Sequence, residues 1–374
     1  MTMSELYIGL MSGTSLDGAD VVLVEFDRTE CIVHDANTSP FPQKLTTRLR
    51  RIVQTPESSL EELGTLDVAL GSFFAESVRQ LVGNAQCELG DITAIGFSGH
   101  TIFHKPALPH PFTMQLGDPN VIASATGINT VADFRRMDMA QGGQGAPLAP
   151  TFHAWRFSAP DETRVVVNLG GVANITVLSP GQPLAGFDTG PANSLMDGWC
   201  RRCWEERYDE QGRRARSGTL VPELLAEFLA DPYFQRQPPK STGFEYFNLR
   251  WVEDRLAATG TSVSERDVLT TLAELTAISV SDAIRQSAPD CQRVILCGGG
   301  TFNSFLVERL EARLPGCVVE PSASYGIGPE WVEAVAFAWL AQRRLKEWVG
   351  NASSVTGARQ TAVLGGLYSA EGGE

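Results

Sequence analysis

Lysine is scarce in this chain. Among 374 residues only four are lysine, Lys44, Lys105, Lys240 and Lys346, and the formal net charge is −14. No lysine follows a glycine and precedes Ser or Thr, which excludes a P-loop. A surface this acidic also excludes a general nucleic-acid binder, which needs a basic face. Long apolar runs are missing, so no segment reads as a membrane span. The N-terminus has neither a basic leader nor an apolar stretch before a small-residue cleavage site, so no signal peptide is expected. The seven cysteines are odd in number and scattered, which suits reduced thiols in a cytoplasm. Cys200 and Cys203 form a lone CxxC pair with no histidine near in sequence. They read as thiols on a helix, with a metal or redox site as the alternative.

What the chain has is a repeated order of elements. Short apolar runs at 6–11, 19–26 and 31–38 predict three strands. Near-3.6 periodicity at 43–53 and 60–81 predicts helices, and 94–98 predicts another strand. Residues 112–150 read as loop-rich. A second block then begins: strands at 164–169, 175–178 and 184–188, helices at 193–206, 222–230, 251–258 and 268–286, and a strand at 293–297. It closes with a helix at 303–314, a strand at 317–320 and a long helix at 329–348. The pattern is a duplicated α/β unit, with ligands expected in a cleft between two lobes.

Three glycine-rich turns stand at strand ends: Gly9-Leu-Met-Ser-Gly13-Thr14-Ser15-Leu-Asp17-Gly18-Ala-Asp20, Asn168-Leu-Gly170-Gly171-Val-Ala-Asn174, and Cys297-Gly298-Gly299-Gly300-Thr301-Phe-Asn303. Glycine lets backbone N–H groups approach an anion, hydroxyls add donors, and Asp17 and Asp20 are placed to hold a metal, directly or through water. Each turn alone also reads as an ordinary tight turn. Together they suggest two phosphate loops and one adenosine loop. Asp188, after an apolar run and before Thr189-Gly190-Pro191, reads either as a carboxylate at a strand end or as the N-cap of the next helix.

These strings resemble the actin-like ATPase and sugar-kinase superfamily. Within it, Gly9-Leu-Met-Ser-Gly-Thr-Ser-Leu-Asp-Gly18, Asp133-Phe-Arg-Arg136, Gly142-Gly-Gln-Gly-Ala-Pro147, Phe187-Asp-Thr-Gly-Pro191, Lys240-Ser-Thr-Gly243 and Cys297-Gly-Gly-Gly300 are similar to the anhydro-N-acetylmuramic acid kinases, from about Tyr7 to Tyr368. The resemblance implies two actin-like (ribonuclease H-like) α/β lobes with an ATP and sugar cleft. We divide them as residues 1–128 plus 346–374, and 129–345. It implies ATP and Mg²⁺ as cofactors, a cytoplasmic homodimer, and no nucleic-acid or membrane partner. The activity implied is hydrolytic opening and 6-phosphorylation of 1,6-anhydro-N-acetylmuramic acid in peptidoglycan recycling. The alternative is a kinase of the same fold acting on an ordinary sugar hydroxyl.

By the same resemblance Asp188 is the base that activates water. Gly13, Thr14, Ser15, Asp17, Gly18, Asp20, Gly170, Gly171 and Asn174 face the phosphates and metal. Gly298, Gly299, Gly300 and Asn303 meet the adenosine. His100, Asp133, Arg135, Arg136 and Glu333 line the sugar site, with an arginine fork suited to a carboxylate. The bland alternatives are an exposed helix position for Glu333 and a surface ion pair of the arginines with Asp133 or Asp138. Ser98-Gly99-His100-Thr101 lacks the Gly-Gln pair that the family more often shows there. His104 and His110 read as loop histidines.

Overall fold

The computed structural model describes residues 5–13, 16–27, 30–54, 58–85 and 87–370. Two compact units emerge: Met1–Arg156 with Trp331–Glu374, and Phe157–Glu330.

The first unit is built on β1 (Glu5–Ser12), β2 (Gly18–Phe26), β3 (Cys31–Pro40), β4 (Ile92–Lys105), β5 (Phe112–Leu116) and β6 (Thr130–Ala132). The second is built on β7 (Arg164–Leu169), β8 (Val172–Leu178), β9 (Ala185–Pro191), β10 (Arg293–Cys297) and β11 (Val318–Pro321). A last short strand, β12 (Gly366–Tyr368), returns to β6. Sheet order is β12-β6-β4-β1-β2-β3, with β5 paired to β4, and β11-β10-β7-β8-β9. In both sheets the first three strands form an antiparallel meander, and the fourth joins the first in parallel. With β5, an extra antiparallel strand on β4, set aside, the fifth strand of each sheet (β6 and β11) joins the fourth (β4 and β10) in parallel. The order 3-2-1-4-5 with these senses, found twice, is the ribonuclease H-like topology of the actin-like fold.

Buried strands of this kind read as near-continuous Val, Ile and Leu, and here they do. Ile8, Leu10, Val21, Leu23 and Ile95 pack against the helices Gln43–Gln54 and Leu60–Asn84 in the first unit. The helix Val332–Leu345 also packs on β1, β2 and β4. It lies so close that a Cβ at Gly9 would sit 1.9 Å from the Ala334 carbonyl oxygen, and one at Gly96 2.0 Å from that of Phe337. Gly9 is therefore needed for helix packing. In the second unit the helix Glu265–Ser287 runs buried along most of its length. Its one buried carboxylate, Glu274, is matched by Arg309 and Arg313 from the helix Ser304–Arg313, which offsets the cost of burying charge.

The structure changes three expectations. Residues 112–150 are less loop-rich than expected: they hold β5, the helix Pro119–Thr126, β6, the helix Phe134–Ala140 and the start of the helix Ala149–Phe157. β6 is three residues long, too short to show a period. The boundaries also move. Residues 129–156 and 331–345 lie in the first unit, because β6 pairs with β4 and the helix Val332–Leu345 packs on the same sheet. His104 lies on β4, bonded through Nδ1 to Thr113 Oγ1 at 3.1 Å.

Candidate active site

In the second unit, register pairing sets Cys297, Asn168, Asn174 and Asp188 in one row across β10, β7, β8 and β9. Residues directly opposite one another on paired strands share a face. Asn168, Asn174 and Asp188 thus form a polar row across three neighbouring strands. Asn168, which heads the second glycine turn directly after Val165-Val-Val, is a further polar neighbour to which the motif alone gives no role.

Asp188 sits in the middle of β9, not at its end. The helix Asn193–Trp204 is capped at Ala192, so Asp188 is no N-cap. Its Oδ2 accepts the Thr242 N–H at 3.0 Å, its own N–H donates to the Lys240 carbonyl at 3.1 Å, and its carbonyl accepts the Tyr233 hydroxyl at 2.8 Å. Burial pushes its carboxyl up to about 6, against the pull of the Thr242 hydrogen bond. A carboxylate whose pKa is raised toward neutrality is a group suited to moving a proton.

The second glycine turn is locked to the next helix. The Gly170 carbonyl accepts the Asn193 N–H at 3.0 Å, and the Gly171 carbonyl accepts those of Ala192 and Ser194 at 3.0 and 3.1 Å. In the third turn Gly298 has φ +80°, and a Cβ there would meet Asn168 Oδ1 at 2.3 Å. Only glycine fits. Gly298 N–H is anchored by the Pro329 carbonyl at 2.8 Å, while Gly299 is exposed and Gly300 buried. Asn303 caps the helix Ser304–Arg313, its Oδ1 accepting Leu306 N–H at 3.1 Å. That oxygen has one acceptor site committed to the cap, which leaves the amide NH₂ as the freer group for a ligand. Glu330, which follows Pro329, has Oε2 buried with no hydrogen-bond partner among the described residues.

In the first unit, Gly13 is half-buried after β1, Gly18 is buried at the start of β2, and Asp17 is exposed. Thr14 and Ser15 lie outside the described residues. Ser12 Oγ closes this turn by donating to the Gly18 carbonyl at 3.1 Å. It must then accept from His100 Nδ1, 3.0 Å away. His100 is buried and edge-on to Phe41, and burial holds its pKa down to about 4. It is neutral, and Nε2 is left as a buried acceptor without a partner among the described residues. Asp20 Oδ1 accepts the Thr38 hydroxyl at 2.7 Å.

Arg135 donates from Nη1 to the Gly145 carbonyl at 3.0 Å, and its buried Nε has no partner among the described residues. An Nε edge left open in this way is the side of the fork that takes a carboxylate. Burial pulls its pKa down, opposed by Glu333. Burial pushes Glu333 up, helped by Asp20 and opposed by Arg135. Glu333 is therefore not an exposed helix carboxylate. Arg136, by contrast, is exposed and pairs with Asp133 at 3.4 Å. Asp133 is half-buried at φ 60°, ahead of the helix Phe134–Ala140. Asp138 pairs with neither arginine. It is buried and accepts from Gly145 N–H, Asn351 Nδ2 and the Thr356 hydroxyl, which fixes the Gly142–Pro147 loop.

Cys200 is buried in the helix Asn193–Trp204 and its thiol is pushed up to about 12, chiefly by burial. No group of three His, Cys, Asp or Glu placed to hold a metal occurs among the described residues.

The duplicated topology and its glycine turns define the class: an actin-like α/β protein of the ATPase and sugar-kinase type. The sequence profile of the anhydro-N-acetylmuramic acid kinases matches residues 5–370, and the chain belongs to that family. It is 47% identical over 366 residues to the anhydro-N-acetylmuramic acid kinase of Coxiella burnetii, covering 97% of each chain. It is 45% identical to that of Saccharophagus degradans, covering 97% of this chain and 98% of the relative. Among solved structures it is similar to the activator of the 2-hydroxyisocaproyl-CoA dehydratase of Clostridium difficile, at 12% identity and a TM-score of 0.47. That match covers 91% of this chain and 96% of the other.

Proposed function

We infer that the chain is an ATP-dependent kinase that opens 1,6-anhydro-N-acetylmuramic acid with water and phosphorylates it to N-acetylmuramic acid 6-phosphate, a step of peptidoglycan recycling. Family membership along nearly the whole chain supports the reaction. The observation that carries our assignment of roles is Asp188, held by backbone and hydroxyl donors with its carboxyl pushed up to about 6.

In this reading Asp188 takes a proton from water, and the water oxygen bonds to the anomeric carbon as the bond from that carbon to O6 breaks. The freed O6 electron pair attacks the γ-phosphorus, ADP leaves, and the proton passes from Asp188 to solvent. Trapping O6 on phosphate removes the need for the second carboxylic acid of ordinary glycosidases. Phosphoryl transfer itself asks mainly for positioning and charge stabilisation. The turns at Gly13–Gly18 and Gly170–Gly171, with Asn174, position the phosphates, and Gly298–Gly300 and Asn303 position the adenosine.

Magnesium keeps several waters and needs only one or two carboxylates beside phosphates, which the pair Asp17 and Asp20 fits. Asp17 and Asp20 would hold the ion, which would supply charge neutralisation to the phosphates. The Nε edge of Arg135 takes the lactyl carboxylate, with Glu333, His100, Asp133 and Arg136 completing the sugar contacts. We place the enzyme in the cytoplasm as a homodimer, on the family resemblance. No helix among the described residues is long and apolar enough to cross a membrane. The test is incubation with ATP and the anhydro sugar. A product heavier by one water and one phosphoryl group supports the reading, and phosphorylation without added water favours the ordinary-hydroxyl kinase.

A further inference from the structure

β9 is the edge strand of its sheet, so its outer backbone groups need partners. At Asp188 they have them. Lys240 supplies a carbonyl to its N–H, Thr242 an N–H to Oδ2, and Tyr233 a hydroxyl to its carbonyl. Tyr233, and the chain a few residues beyond Thr242, are tied to one buried carboxylate, Asp231. It accepts Tyr233 N–H at 2.9 Å, the Tyr246 hydroxyl at 2.8 Å and Trp251 Nε1 at 2.9 Å, and it pairs with Arg255. The Lys240 amine lies over the Tyr233 ring, 4.9 Å from its centroid. Further along the segment, the Phe244 ring sits where a Cβ on Gly171 would come within 2.8 Å of it. One stretch of chain thus holds the carboxylate and covers the second glycine turn.

We propose that Thr242 and Tyr233, the latter braced by Asp231, are positioning residues for proton transfer: Thr242 fixes Oδ2 of Asp188, Tyr233 fixes its backbone carbonyl, and Oδ1 is left as the oxygen that receives the proton. The proposal rests on Asp188 being the base. Among the described residues Oδ1 has no hydrogen-bond partner, while every other polar group of Asp188 has one. The groups facing Asp188 are Asn174 on β8, Tyr233, and Lys240, with Arg236 over the outer part of the Tyr233 ring. From the helix Glu265–Ser287 the neighbours of the same strand are Thr276 and Ser279, which are uncharged. No charged side chain sets this carboxyl, so backbone hydrogen bonding is the lever that remains.

The experiment measures kcat/KM for the anhydro sugar against pH, with ATP affinity recorded separately. Thr242→Pro deletes the N–H that favours the charged carboxylate, and the acid limb is expected to move up by about one pH unit. Tyr233→Phe deletes only the hydroxyl; kcat is expected to fall about tenfold with KM for ATP unchanged. If Thr242→Pro fails to bind ATP and so is not folded, Tyr233→Phe decides alone. A wild-type acid limb in folded Thr242→Pro, or a wild-type kcat in Tyr233→Phe, overturns the proposal. Asp188→Asn is the control. Its loss of turnover beside unaffected positioning variants discards positioning alone, whereas retained turnover discards Asp188 as the base.

Discussion

Asp188 in the second unit and Glu333 in the first are both carboxylates pushed up by burial, but their surroundings differ. Glu333 answers to charges, with Arg135 lowering its pKa and Asp20 raising it. Asp188 answers to none and is held through Thr242, Tyr233 and Lys240. A carboxylate set among charges is suited to orienting a polar ligand. One desolvated without a counter-cation keeps its proton affinity near neutrality, which suits it to taking a proton from water.

The strongest way to break this contrast is Asp188→Asn. Turnover is expected to fall at least about a hundredfold while ATP affinity, read by calorimetry, stays within about twofold. Arg135→Met comes next. With the guanidinium gone, KM for the anhydro sugar is expected to rise about tenfold or more with a smaller change in kcat, and Arg135→Lys not to restore it, since an ammonium lacks the fork.

The pH dependence sharpens the contrast further. The base works only when ionised, so kcat/KM is expected to fall as pH drops through about 6. Stability runs the other way. A carboxyl raised in the folded state contributes stability that is full below its unfolded pKa and is lost as pH rises through about 6. Asp188→Asn is therefore expected to raise Tm over wild type by more at pH 7.5 than at pH 4.5, in thermal melts. Arg136→Ala has the smallest expected effect on stability. The side chain is exposed and its ion pair with Asp133 is long, so stability is expected to change by no more than about 0.5 kcal/mol.

Much of this architecture is legible in the sequence because both sheets announce themselves with runs of Val, Ile and Leu stopped by glycine. What escapes has physical causes. β6 and β12 are three residues each and owe their existence to pairing partners far away in the chain. Asn303 looks like a ligand and spends its side-chain oxygen on a helix cap, a role that depends on where Leu306 N–H points. Gly9 looks like the start of an anion loop and is required by the backbone of the helix Val332–Leu345. The Lys240-Ser-Thr-Gly243 string is visible as a motif, yet its job is invisible until Thr242 N–H is seen on Asp188, 54 residues away. The Nε edge of Arg135 and the neutral state of His100 likewise follow from neighbours, Gly145 and Ser12, that no local pattern connects to them.

The account turns on water attacking the anomeric carbon under the control of Asp188. Turnover of the anhydro sugar and ATP in ¹⁸O-water, with the product fragmented in the mass spectrometer, tests that most directly. One ¹⁸O at the anomeric carbon and none in the phosphate is the predicted result. Label in the phosphate, or no label in the sugar, contradicts it.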